Sequence, residues 1–377
     1  MISSLIVRVY NYFYFSLLAI FISFLPVYLF AQNLPASQIG IIISAGAFIG
    51  VLSQPFWGVI SDKYKTVRKI ILLTLFLSVI IGFAMFQAST FLILMLLTGL
   101  MYFIFLPTDP LTESLNYQLS QEMQVSFGSI RMFGAIGYAT TSLFVGYLAE
   151  YWGISSLGFL FAAYGIITCF VCYLLPDVPS VSKPISFSSL RQFFTYPKTR
   201  WFFILVFLTA LPHRMNDSFL GITIQSLGGT TSLIGQSWFI SSVSEVFLFA
   251  VSFWFLQRFK EIQLISIAAL LYSIRYFLCS IAVSPEWIVY LQIMQGITFV
   301  IFYTASIQYL YSMIPEEWKA TGQTILAILF FGLSGIIGSL IGGWVLEYYQ
   351  VSTLYQVMAG LSFASFVFSL FMQKKKQ

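Results

Sequence analysis

The feature that most limits how this chain can fold is a succession of about twelve apolar runs of roughly 20 residues, separated by short polar or Gly/Pro/Ser breaks. A run of that length crosses the hydrocarbon core of a bilayer as a helix, and a helix satisfies its own backbone donors and acceptors there. The expected fold is therefore an all-α membrane protein with 12 transmembrane helices. The spans read as 6–30, 38–60, 69–87, 91–116, 125–149, 154–175, 200–225, 232–256, 262–282, 286–311, 320–345 and 351–372. Of 377 residues, 59% are hydrophobic and only 8% charged, against about 25% charged in a soluble domain. At a mean hydropathy of +0.90, a soluble form would expose large apolar patches and aggregate. The first run is too long for a signal-peptide core, has only Arg8 as a basic flank and shows no cleavage site, so it is expected to remain as helix one.

Most connections are short, which makes sequence neighbours antiparallel and adjacent. The exception is 176–199, rich in Pro and Ser. It divides the chain into an N-terminal six-helix half (1–175), a cytoplasmic linker (176–199) and a C-terminal six-helix half (200–377). Two such halves suggest a parallel repeat with a solute site between them. Gly146-Tyr-Leu-Ala-Glu150 in helix five resembles Gly343-Trp-Val-Leu-Glu347 in helix eleven. Arg8, Lys63, Lys65, Arg68, Lys69, Lys183, Arg191, Lys198, Arg200, Arg258, Lys260, Lys319 and Lys374 to Lys376 are 15 of the 18 basic residues, and all fall in even-numbered connections or at the termini. The opposite loops hold none, which predicts a multi-pass cell-membrane protein with both termini cytoplasmic. The net charge of +5 is thus topological and points to no nucleic acid. Cys169 and Cys172 form a C-x-x-C inside an apolar run, where they read as packing residues rather than a redox pair, as does Cys279.

Charges inside spans are costly and mark partners or wet cavities. They are Asp109, Glu113, Arg131, Arg214, Asp217, Glu245 and Arg275. Asp109 and Glu113 are four apart on one face of helix four. With equal rise in both helices, Glu113 and Arg131 reach similar depth across the turn near 117–124 and are expected to pair. By the same argument Glu245 and Arg275 meet across the turn near 259. Arg214 and Asp217, three apart on helix seven, face one cavity. His213, the only His, reads first as a structural residue and second as a proton relay.

Helix two ends in Gly58-Val-Ile-Ser61-Asp62-Lys63, followed by Arg68-Lys69. This resembles a signature of the major facilitator superfamily, in which a carboxylate at a helix end sits beside a basic turn. Residues 38–58 and Phe127-Gly128-Ser-Ile-Arg131 through Gly137-Tyr138 are similar to lactose permease and its relatives, which include nucleoside and phenylpropionate proton symporters. The resemblance implies solute binding by Glu113 and Arg131, stacking on Tyr138, and further contacts from Glu245, Gln295 and Asp109. It implies proton coupling through Asp217 and Glu245, biased by Arg275 and Arg214, and gating by Gly58, Asp62, Lys63 and Arg68. Its helix-ten proton carrier falls on Thr298, the neighbouring His on Gln295 and a Lys one turn earlier on Gln292, so the usual carrier is missing.

The expected function is secondary active transport, a proton-coupled symport of a sugar, nucleoside or aromatic acid by alternating access. The alternatives are an efflux antiporter and a non-transporting receptor. No H-E-x-x-H, P-loop or G-x-S-x-G occurs, so no enzyme is expected. The expected partners are the bilayer, a small-molecule solute and protons, with no cofactor or metal, for a monomer.

Overall fold

The computed structural model of the protein describes residues 4–179 and 197–374, whose secondary structure is entirely helical. The helices are α1 (Ser4–Ala31), α2 (Ala36–Tyr64), α3 (Arg68–Met85), α4 (Phe91–Glu122), α5 (Phe127–Trp152), α6 (Ser156–Tyr173), α7 (Pro197–Ser226), α8 (Thr231–Ala250), α9 (Glu261–Ser280), α10 (Pro285–Tyr311), α11 (Thr321–Tyr348) and α12 (Val351–Lys374). Among the described residues, eleven of them are long and apolar enough to cross a bilayer. The remaining one, α7, is 30 residues long but carries Lys198, Arg200, His213, Arg214 and Asp217. Linker residues 180–196, including Lys183 and Arg191, lie outside the described residues, as do Lys375 and Lys376.

Two helices differ from expectation. The turn expected from residue 117 starts only at Met123, because the polar stretch Thr108–Glu122 continues α4 after a break at Phe105–Pro107. Pro107 and Pro110 cannot donate to the helix ladder, which accounts for the break. The eighth helix breaks at Val251 and resumes as the short Ser252–Arg258.

The chain forms two compact units, one of Met1–Lys183 with Thr230–Phe239, the other of Pro184–Gly229 with Ile240–Gln377. In the first unit α1 is the most buried span. It packs on α5 and α6, while α3 packs on α6 and α2 on α4. The first turns of α8 join this unit through the Ser232 N–H, which donates to Glu150 Oε2 at 3.2 Å, and Gln236, which donates to the Tyr147 hydroxyl at 3.0 Å. In the second unit α7 packs on α11 and α12, and α9 on α12. The same pairing scheme thus occurs in each unit, six helices apart. Outward faces stay apolar, as with Phe48, Leu52 and Phe56 of α2 and Phe76 and Ile80 of α3.

Lipid tails supply no hydrophobic drive between helices, so contact depends on close packing and interhelical hydrogen bonds. Asn11 and Asn116 exchange amide hydrogen bonds at 2.8 and 2.7 Å between α1 and α4. Tyr10 and Thr112 share a hydrogen bond at 2.8 Å, and Thr141 donates to Ser16 at 2.8 Å. In the second unit Thr209 pairs with Ser365, Ser218 with Ser339 at 3.0 Å, and Ser369 donates to Ser266 at 2.7 Å. Two glycines permit the tightest crossings used below. A Cβ on Gly137 of α5 would overlap the Tyr12 carbonyl of α1, and one on Gly296 of α10 would overlap the Ser244 backbone of α8.

The α2–α3 turn is fastened to the end of α6. Lys65 closes α2 in the left-handed region, φ 52°. Arg68 donates to the carbonyls of Tyr173 at 3.2 Å and Leu175 at 2.7 Å, a cation on a helix C-terminus. Asp177 accepts from the Thr66 hydroxyl at 2.5 Å and the Arg68 N–H at 3.1 Å, serving as a remote cap for α3.

Gly137→Val is expected to destabilise the protein by about 1–3 kcal/mol through overpacking, read as a lower melting temperature in detergent. An unchanged melt would mean that α1 and α5 do not approach this closely. Asp177→Ala should cost about 1 kcal/mol, the typical loss of a helix cap, with amide exchange rising in the first turn of α3.

Candidate functional site

Each unit holds one cluster of charge inside its helices. In the first, α4 and α5 bring Glu113 and Arg131 together, with Arg131 Nε 2.7 Å from Glu113 Oε1. Their side chains are 30% and 40% exposed respectively. The guanidinium also lies flat on the Phe15 ring of α1, 3.9 Å from its centroid. The ion pair runs through Nε, and with its side chain 40% exposed the guanidinium stays reachable for an anion or a pair of hydroxyls.

One turn from Glu113, the buried Asp109 carboxylate faces the buried Tyr14 hydroxyl of α1. Tyr138 is half-buried on α5, two turns from Arg131. Its hydroxyl shares a hydrogen bond with Ser23 at 2.9 Å. Its ring meets Trp238 edge-on at 6.2 Å, and the Trp238 Nε1 is buried without an acceptor among the described residues. At the far end of α2, the Arg68 side chain caps α6 as described above. Lys63 lies over Tyr64 at 5.9 Å, and a Cβ on Gly58 would meet no atom within 4 Å.

In the second unit the cluster is a chain of hydrogen bonds running across α7, α9 and α10. Arg214 NH1 lies 2.8 Å from Asp217 Oδ2. The same oxygen lies 3.4 Å from His213 Nε2. His213 Nδ1 faces the Tyr272 hydroxyl at 3.2 Å and the Gln295 amide at 3.4 Å. The His213 ring stacks on Phe299 at 5.1 Å and 5°. Arg275 is fully buried. Its terminal nitrogens donate to the amide oxygens of Gln295 and of Gln292, the latter at 2.5 Å. The expected ion pair between Arg275 and Glu245 is thus replaced by two amides from α10. Equal depth did not settle which faces of the two helices meet. Glu245 itself is half-buried on α8, next to Ser244, whose Oγ accepts from the Gly296 N–H at 3.1 Å. The Thr298 hydroxyl donates back to its own helix, to the carbonyls of Met294 at 2.9 Å and Gln295 at 3.2 Å.

Several contributors were not singled out from the sequence. Phe15, Tyr14 and Trp238 carry no charge to mark them. Tyr272 becomes visible only as a neighbour of His213, and Gln292, noted for the ionisable group it lacks, proves to be a partner of Arg275. Asn11 and Asn116, amides inside apolar runs, were readable as signals by the same cost argument as the charges. Asp177 sits at a helix end, where a carboxylate is unremarked.

The chain matches the model of the MFS_1 like family over residues 5–357. It is similar to an uncharacterized transporter, YwbF, of Bacillus subtilis (strain 168), with 25% identity over 350 residues, 92% of this chain and 87% of that one. It is similar to a maltose permease of Geobacillus stearothermophilus, with 26% identity over 353 residues, 92% of this chain and 89% of the permease. Among solved structures its fold is similar to the nucleoside transporter NupG, with a TM-score of 0.89 at 19% identity, over 99% of this chain and 100% of that one. The many apolar helices and the family match agree, and this multi-pass membrane protein belongs to the MFS_1-like family of major facilitator transporters.

Proposed function

We propose that this chain takes up a small organic solute together with protons, by alternating access, from a cell membrane in which both of its termini are cytoplasmic. The observation that carries the reading is the Glu113–Arg131 pair. It is an ion pair at 2.7 Å, partly exposed within membrane helices. A purely structural pair would be expected to bury and satisfy all its donors, since a buried ion pair is no better for stability than apolar packing. Arg131 and Glu113 would take polar groups of the solute, and Tyr138 would flank it. Asp109, one turn away, supplies a further acceptor.

The proton side of the reading rests on Asp217. Thr298, Gln295 and Gln292 hold the positions where the resembling permeases carry ionisable groups, and none of the three exchanges protons. Asp217 is a carboxylate, and one of its oxygens is shared between Arg214 and His213. Protonating Asp217 would release Arg214, and that change of partner is the bias a solute-coupled transition needs. Glu245 is the second candidate carrier, on the adjoining helix α8. The basic residues on one side of the spans support cytoplasmic termini.

Reconstituted vesicles with an imposed proton gradient test the reading. Solute should accumulate on the alkaline side, and everted vesicles should reverse the direction. Accumulation against the opposite gradient would favour export. Binding without flux would favour a receptor. Glu113→Gln should weaken solute affinity by about tenfold, the scale of one lost charge-assisted hydrogen bond. Unchanged affinity removes Glu113 from the site. Asp217→Asn should abolish gradient-driven accumulation while leaving solute exchange at equal concentrations. Intact accumulation in both Asp217→Asn and Glu245→Gln would remove the coupling assignment.

A further inference from the structure

Two turns of the second unit depart from the α repeat. Gly296–Val300 in α10 and Ile328–Leu333 in α11 are π-helical. Such turns widen the backbone ring, are rare, and are frequent at functional sites. Both are held here by side chains. The Ser334 hydroxyl donates to the Leu329 carbonyl, five residues back, at 2.7 Å. The Gly296 N–H donates to Ser244 Oγ of α8.

The two turns deliver one continuous aromatic surface. Phe299 and Tyr303 stack at 5.4 Å and 20°. Tyr303 meets Phe331 at 5.7 Å, Phe299 meets it at 6.5 Å, and Phe330 meets it at 4.9 Å. Phe330 is fully buried beneath, and one face of Phe299 is covered by His213. Phe331 is the open ring, 39% exposed, with the half-buried Tyr303 beside it.

The exposed side of this surface adjoins a charge. The Arg214 guanidinium lies 5.9 Å from the Phe331 centroid. It is ion-paired to Asp217, and its side chain is 25% exposed. An ion pair does not turn its exposed edge to hydrocarbon, so Phe331 and Arg214 share an aqueous face. Gly335, one turn after Phe331, leaves room for the guanidinium, since a Cβ there would lie 3.5 Å from Arg214 Nε. NH1 is occupied by Asp217. Nε is buried without a hydrogen-bond partner among the described residues.

A partly exposed aromatic ring beside a partly exposed guanidinium suits a flat ring carrying an anionic group. The ring is gained by offset stacking and the anion by charge-assisted hydrogen bonds. We propose that Phe331, Tyr303 and Arg214 form a ring-binding subsite, and that the transported solute is an aromatic carboxylate rather than a simple sugar. This rests on the transporter reading above and narrows its substrate class. Phe331 is the specificity-determining residue, because an aliphatic side chain of similar volume would keep the wall and lose the π face.

The test compares phenylacetate with cyclohexylacetate, equal in charge and differing in the planarity of the ring, as ligands of the full-length protein in detergent. Binding is read by the shift in melting temperature against concentration. Phenylacetate should bind about tenfold tighter, the upper scale of one aromatic stacking pair. Phe331→Leu should remove that preference, and Phe331→Trp should keep it. Equal affinity for the two acids, no binding of either, or a preference untouched in Phe331→Leu would overturn the subsite. Vesicle uptake separates this from the transporter reading. Selective phenylacetate binding without flux keeps the subsite and sinks transport. Accumulation of a ring-free sugar at wild-type rate in Phe331→Leu keeps transport and sinks the subsite.

Discussion

Hydrocarbon offers no hydrogen-bond partner, so every backbone N–H and C=O in a span must be satisfied by the span itself. That single constraint forces the helices, and it also prices every departure from them. The break at Phe105–Pro107 and the π turns at Gly296–Val300 and Ile328–Leu333 release backbone groups that hydroxyls or amides must then take up. Ser244 and Ser334 do this at the π turns. The irregular places in the second unit are therefore also the places where α10 and α11 present side chains away from their regular faces.

The same medium removes the hydrophobic drive that packs soluble helices, and the seams show what replaces it. Amide and hydroxyl pairs such as Asn11–Asn116, Tyr10–Thr112 and Ser218–Ser339 join helices that glycines allow to approach. Each unit repeats one scheme, with its first helix packed on its fifth and sixth and its third on its sixth. The clusters lie within that scheme: α1 supplies Phe15 beneath Arg131, and α7 supplies His213, Arg214 and Asp217.

The two charge clusters were legible to different degrees for one geometric reason. Depth in a hairpin follows from counting residues, because the rise is fixed at about 1.5 Å. Counting brought Glu113 to Arg131, and the structure has them 2.7 Å apart. Azimuth does not follow from counting. Glu245 and Arg275 were matched by depth, yet Arg275 turns to Gln292 and Gln295. Those two positions had been noted for the ionisable groups they lack, and in the folded chain they complete the solvation of a buried cation. Arg68 was read with the turn that carries it, and its donors prove to cap α6. No sequence pattern announces a π turn, so the wall of Phe299, Phe330 and Phe331 looked like three more apolar residues among 41 phenylalanines.

The sequence by itself determined the medium, the helices and the residues that had to be accounted for, because apolar run length and the cost of intramembrane charge are properties of single segments. It also carried the resemblance that the family match bears out. Tertiary structure alone decided which charge meets which partner and which aromatic rings lie beside Arg214. These depend on how helices rotate about their axes against one another, and that rotation is set by the packing of whole units around Gly137, Gly296 and their neighbours rather than by any one run of sequence.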